Sequence, residues 1–272
     1  MLPFVKLCQP SKFVLCGFRD GKVGYLVIAD ISGYTQFVEI HNMRKRPIFG
    51  EAMAQKWESH AEHIITELLE AIIDTFDDTL MLNKLEGDAA FFFAGDDGTH
   101  QQADKILAKM DQAMQAFSKK ATDIAFIQIC PCDPCQQSQN LRLKIFAHKG
   151  SYQIKKIRQF EELAGESVIL VHRLMKNSLQ SREYWLITES FALAVEELAK
   201  YRFETLDETV DDFGKLALQY KTFSSDAASD PTDNLVRNAQ WSPLDFIKML
   251  RYFSARRDRT GLLESVPSQP DA

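Results

Sequence analysis

The chain has 272 residues, 45% of them hydrophobic and 26% charged, which is enough for one well-packed domain of ordinary size with terminal additions. A formal net charge of −6 argues against nucleic acid or an anionic membrane as the main partner, because both need a basic excess that releases counterions. No apolar run approaches the roughly eighteen residues that a membrane-spanning helix requires, so no membrane span is expected.

The clusters Arg44-Lys45-Arg46 and Arg256-Arg257 read as solvated faces. The opening Met1-Leu2-Pro3-Phe4 lacks the charged start and long apolar centre of a secretion signal, so a cytoplasmic location is expected. Three of the five cysteines crowd into Cys130-Pro131-Cys132-Asp133-Pro134-Cys135, which in a reducing compartment is not a disulfide framework.

After an N-terminal extension over 1–23, the apolar run Tyr25 to Asp30, followed by Ser32-Gly33, predicts a buried strand with a carboxylate at its tip. From Ala61, the positions Ile64, Ile65, Leu68, Leu69, Ile72, Ile73 and Phe76 recur every three or four residues, the stripe of a long amphipathic helix. Thr79 to Leu85 and Ala89 to Ala94 flank Glu86-Gly87-Asp88 and predict a hairpin with Asp88 at its turn. Gln101 to Lys120 returns to helical period.

Beyond a cysteine loop over 128–138, Leu141 to Ala147 and Tyr152 to Ile157 around Lys149-Gly150 predict a second hairpin. A helix is expected over Gly165 to Leu179, a strand over Tyr184 to Ile187 and a helix over Glu189 to Lys200. This order predicts an α+β sandwich, with helices on one face of a mainly antiparallel sheet and one domain over 24–223. The polar stretch 224–240 reads as a linker, and 241–272 as a helix begun by Ser242-Pro243 with a disordered tail.

Two carboxylates at neighbouring strand tips, Asp30 and Asp88, suit a pair of divalent cations beside a triphosphate, since hard cations take oxygen ligands and two of them can stabilise an in-line displacement. Aspartate at a strand end also caps turns, and spacing alone does not separate the two roles.

The surrounding words carry more. Ala29-Asp30-Ile31-Ser32-Gly33-Tyr34-Thr35-Gln36-Phe37 and Lys84-Leu85-Glu86-Gly87-Asp88-Ala89 resemble the two metal-site motifs of the class III adenylate and guanylate cyclases. A third segment, from Gly165 through Ile169 and His172 to Arg173-Leu174, resembles the helix that follows that family's second hairpin. The likeness runs from about Tyr25 to Lys200 and is strongest to an uncharacterised bacterial subgroup with a cysteine-rich loop.

The resemblance implies a ferredoxin-like sandwich of the cyclase type and two Mg²⁺ or Mn²⁺ ions held by Asp30, Asp88 and the carbonyl of Ile31. It implies a nucleoside triphosphate lined by Gly33, Tyr34, Thr35 and Gly87, with Lys84 reading the purine. Arg173 falls at the arginine that stabilises charge on the transferred phosphate, a task suited to a guanidinium. A head-to-tail homodimer is implied, one subunit giving the carboxylates and its partner the lysine and arginine. The reaction implied is attack of the ribose 3′-hydroxyl on the α-phosphorus with loss of pyrophosphate.

Ile169 stands where the family's ribose-orienting asparagine is expected, and an apolar side chain cannot hydrogen-bond a ribose. The alternative of a non-catalytic nucleotide-binding or regulatory module therefore stays open. Phe160 falls nearest the purine-selecting acidic position, so base preference is not readable. The cysteine spacing could place Cys130, Cys132 and Cys135 on a zinc or iron centre with Cys8, Cys16 or a histidine as fourth ligand, or leave free thiols in a loop. His172 reads as a packing histidine, and His60 and His63 as helix-surface residues.

Overall fold

The computed structural model describes residues 21–41, 51–126 and 137–223. Most of the expected cysteine loop and of the N-terminal extension, the linker and the C-terminal helix lie outside the described residues. The strands are β1 (Lys22–Ser32), β2 (Met81–Glu86), β3 (Ala89–Gly95), β4 (Arg142–Ile157), β5 (Phe160–Ala164), β6 (Tyr184–Thr188), β7 (Glu204–Val210) and β8 (Gly214–Thr222). The helices are α1 (Tyr34–His41), α2 (Glu51–Phe76), α3 (His100–Phe126), α4 (Glu166–Arg173) and the single turn α5 (Glu189–Ala192).

The main sheet runs β2-β3-β1-β4-β6-β8-β7, with β5 paired to the second half of β4. Every pairing is antiparallel except β4 with β6. β1 lies near the middle, and its continuous apolar run is explained by burial on both faces. Tyr25, Val27, Ala29 and Ile31 point into a core shared with α2 and α3, while Leu26 and Ile28 point into a second core shared with α4. The helices expected on one face are thus divided, the two long ones on one side and α4 on the other.

The second hairpin differs from its expected form. β4 runs straight through Lys149 and Gly150, and the turn comes at Arg158, whose φ of 55° is left-handed. Gly150 serves close approach: a Cβ there would come within 2.2 Å of Ser167 Oγ and 2.4 Å of His148 Nε2, so its absence lets α4 settle on the strand.

α4 stops at Arg173, short of the expected Leu179. Asn177 takes over the chain there, donating to the Leu174 carbonyl and accepting from the Leu179 amide. The expected helix to Lys200 also breaks after one turn. His100 holds the Ala194 carbonyl at 2.8 Å and Asp104 accepts the Glu197 amide at 3.0 Å, so side chains of α3 occupy groups that a continuing helix would use. The β7–β8 hairpin, turned by Asp212 and Gly214 at positive φ, has no counterpart among the sequence expectations.

Candidate active site

The register of β1 against its two neighbours assembles the site. Asp30 lies opposite Ala89 on β3 and Lys144 on β4, so the hairpin residue Asp88 falls one step beyond Asp30's partner. The amide of Ile31 donates to the carbonyl of Asp88 at 3.2 Å and ties the two tips together. Gly87 carries the hairpin at φ 66°, a left-handed conformation that glycine adopts without strain.

The two carboxylates are electrically aware of each other. Burial, reinforced by the charge of Asp88 and opposed by Lys144, pushes the Asp30 carboxyl up to about 6. Burial also raises Asp88. Lys144, absent from the sequence expectations, is pushed down by burial against the pull of Asp30, and its Nζ sits 5.4 Å from the centre of the Tyr184 ring. Tyr184 is itself pushed up to about 12 by burial, with Asn177 opposing.

Ile31 buries its side chain in the core, leaving only its backbone to face a ligand. Gly33, at φ 96°, turns the chain into α1, accepting the Phe37 amide at 2.9 Å. Tyr34 donates its hydroxyl to Glu62 at 3.2 Å, and Thr35 is exposed.

The remaining predicted residues gather elsewhere. Lys84 Nζ pairs with Glu86 Oε1 at 2.7 Å, and Glu86 accepts His172 Nε2 at 3.1 Å, which links β2 to α4. His172 Nδ1 also lies 2.7 Å from the Val168 carbonyl, and the ring stands edge-on to Phe91, as expected of a packing histidine. Burial raises Glu86, yet the Lys84 hydrogen bond and the nearby imidazole outweigh it and leave the carboxyl below its usual range. Arg173 Nη2 donates to Asp212 Oδ2 at 3.1 Å in the β7–β8 turn. Ile169 is 53% exposed on α4. Glu86 and Asp30 both pair with Ala89, from opposite sides, so the Lys84–Glu86–His172 link lies across β3 from Asp30, while Arg173 is engaged by the β7–β8 turn.

His63 departs from the expected helix-surface role: it is half-buried, and its solvent-shielded Nε2 lies 3.0 Å from buried Glu67 on the same helix. Among the described residues no group of three or more His, Cys, Asp or Glu side chains is arranged to hold a metal, and Cys130, Cys132 and Cys135 lie outside them. Two carboxylates and a backbone carbonyl at adjoining tips are nonetheless an all-oxygen donor set, which fits Mg²⁺ or Mn²⁺ completed by water and phosphate oxygens. No described helix is long and apolar enough to cross a membrane.

The fold is that of class III cyclase catalytic domains. The adenylyl cyclase CyaB from P. aeruginosa superposes with a TM-score of 0.51 at 15% identity, covering 76% of this chain and 98% of that one. The guanylyl cyclase Cya2 superposes with a TM-score of 0.53 at 13% identity, covering 75% and 93%. Residues 65–184 match the family described as "Protein of unknown function (DUF2652)". The uncharacterized protein Rv2561/Rv2562 of Mycobacterium tuberculosis is 31% identical over 183 residues, 67% of this chain and 84% of the relative. With that identity over that share of both sequences, the chain belongs to one family with the mycobacterial protein Rv2561/Rv2562.

Proposed function

We propose that this protein is a nucleotide cyclase, converting ATP or GTP to the 3′,5′-cyclic nucleotide and pyrophosphate in cytoplasmic signalling, as a head-to-tail homodimer. The observation that carries the reading is the pairing of Asp30 and Asp88 at adjoining strand tips with Lys144 beside them. A mutually repelling, partly buried carboxylate pair is costly to keep and suits a site that neutralises it with cations.

Asp30, Asp88 and the Ile31 carbonyl would hold the ions. When bound, Mg²⁺ or Mn²⁺ supplies Lewis-acid stabilisation of the phosphate oxygens and of the attacking hydroxyl. The chain's own residues supply position and charge. Lys144 lies where it balances the triphosphate, Lys84 presents an ammonium to the purine edge, and Arg173 neutralises charge developing on the transferred phosphorus. Lys84 engages Glu86 and Arg173 engages Asp212 rather than Asp30 or Asp88, which suits a site completed across a two-fold axis.

The test incubates purified protein with each of the four ribonucleoside triphosphates and Mg²⁺ or Mn²⁺, with mass-spectrometric detection of products. A cyclic product lost in Asp88→Asn supports the reading, and no Asp88-dependent product overturns it.

A second reading, a nucleotide-binding module without turnover, is favoured by exposed Ile169 at the ribose-orienting position and by Arg173 being engaged with Asp212. Calorimetry would then show nucleotide binding without pyrophosphate release.

A further inference from the structure

Arg182 sits in the connection between α4 and β6, two residues before Tyr184 opens the strand. Because β6 runs parallel to β4, with Lys144 opposite Tyr184, this connection reaches the end of the sheet that carries Asp30 and Asp88. The guanidinium is partly buried and makes one hydrogen bond, Nη2 donating to the Asn140 carbonyl at 3.3 Å. Among the described residues it has no carboxylate partner. The adjacent Glu183 lies instead 3.8 Å from Arg142. A guanidinium carries five N–H donors in one plane, so most of those of Arg182 remain uncommitted.

The position of that group is specific. A Cβ on Gly33 would come within 2.4 Å of Arg182 Nη2, so the guanidinium lies directly against the backbone of the turn that follows Asp30 and Ile31. Any residue with a side chain at 33 would displace it. Burial disfavours the charge of both Lys144 and Arg182, with Arg182 adding to the effect at Lys144 and Arg142 adding to it at Arg182. Partly buried cations that have only Asp30, beside Lys144, as a nearby anion are held at a cost that a bound polyanion would relieve.

We propose that Arg182 and Lys144 form a binding site, within one chain, for the outer phosphates of a polyphosphate whose inner end lies over Asp30 and Asp88. The inference rests on the nucleotide reading above and adds to it a residue from outside the three cyclase-like segments. The planar fork of Arg182 suits two phosphate oxygens at once, while Lys144 acts as a point charge between that fork and Asp30. Binding of the triphosphate tail then does not wait for a partner subunit, which completes only the base and transition-state contacts.

The experiment is calorimetric titration of the full chain with inorganic tripolyphosphate in excess Mn²⁺, comparing wild type, Arg182→Ala and Arg182→Gln, with cyclic-product assays in parallel. Glutamine keeps a donor for the Asn140 carbonyl, so it decides the matter if alanine impairs folding, with thermal melting as the control. The expected result is an affinity loss of about tenfold or more in both variants. Affinity within about twofold of wild type in folded Arg182→Gln overturns the site, as does failure of the wild type to bind tripolyphosphate. Arg182-dependent binding without any cyclic product leaves the site standing and removes the cyclase reading. Cyclic product with an unchanged KM in Arg182→Gln does the reverse.

Discussion

The Ile31 amide and the Asp88 carbonyl meet at 3.2 Å, a single backbone hydrogen bond that joins the tip of the central strand to the tip of the neighbouring hairpin. This bond fixes the spacing of the two carboxylates on either side of it, since each belongs to or adjoins one of the bonded residues. The electrostatic consequence is a folded state that keeps Asp30 partly buried beside a like charge.

That arrangement predicts a trade between stability and function. The Asp30 carboxyl is raised from 3.8 to about 6, so its folded-state contribution is fully present below about pH 4 and is lost as pH rises through about 6. At pH 8 the ionised Asp30, penalised first by its burial and then by the charge of Asp88, therefore costs on the order of 2 kcal/mol. Asp30→Asn is expected to raise Tm at pH 8 by roughly 5 °C, with little gain at pH 4, in a metal-free thermal melt. The same variant is expected to lose Mn²⁺-induced stabilisation. A Tm that falls at pH 8 would show that burial and the charge of Asp88 do not destabilise the ionised carboxylate.

Glu86 has the opposite sign. Its carboxyl is held below the usual range, so its contribution is present above about pH 4.5 and fades as pH falls through the folded value. Glu86→Gln is expected to cost about 1 kcal/mol or less at pH 7, since the ion pair with Lys84 and the contact with His172 are partly solvated, and the cost should shrink toward pH 4. Urea unfolding at the two pH values checks this. A cost that grows on acidification would mean that Glu86 stabilises the protein in its protonated form.

Ile169→Asn tests the departure from the cyclase pattern directly. The side chain is 53% exposed, so the exchange should leave stability within about 0.5 kcal/mol of wild type. Restoring a donor and acceptor at that point is expected to raise kcat by about tenfold or more, as gained transition-state contacts do. An unchanged kcat in a folded variant would place ribose handling on another residue.

The parts of this architecture that are legible in the sequence are local ones. The run ending at Asp30 and the hairpin around Gly87-Asp88 are each written within about ten neighbouring residues, as are the stripes of α2 and α3. What joins them is not local. The Glu86–His172 contact spans 86 positions and Arg182 reaches the Gly33 turn from another strand connection, so neither leaves a periodic trace. Gly150 misleads for the same reason: next to a lysine it reads as a turn, whereas its purpose is set by Ser167 on a helix not yet formed. The helix expected through Lys200 fails because His100 and Asp104, far back in the chain, claim its backbone. The β7–β8 hairpin does have a local trace, Gly214 between two alternating runs, outside the elements expected from the sequence.

The proposed sharing of each site between two subunits makes the last prediction quantitative. If a complete site takes Asp30 and Asp88 from one subunit and Lys84 and Arg173 from its partner, Asp88→Asn and Arg173→Ala each disable both sites of their own homodimer. Mixed and allowed to exchange, half the dimers pair one variant with the other, and each such dimer has one site with no mutated residue. Activity is therefore expected to recover to about a quarter of wild type from two inactive preparations. Recovery should need subunit exchange and vanish when the two changes are placed in the same chain. No recovery from variants shown to form mixed dimers would mean that Arg173 and Asp88 serve the same site in one chain, and the Arg173–Asp212 pair would then mark an arginine held away from the chemistry.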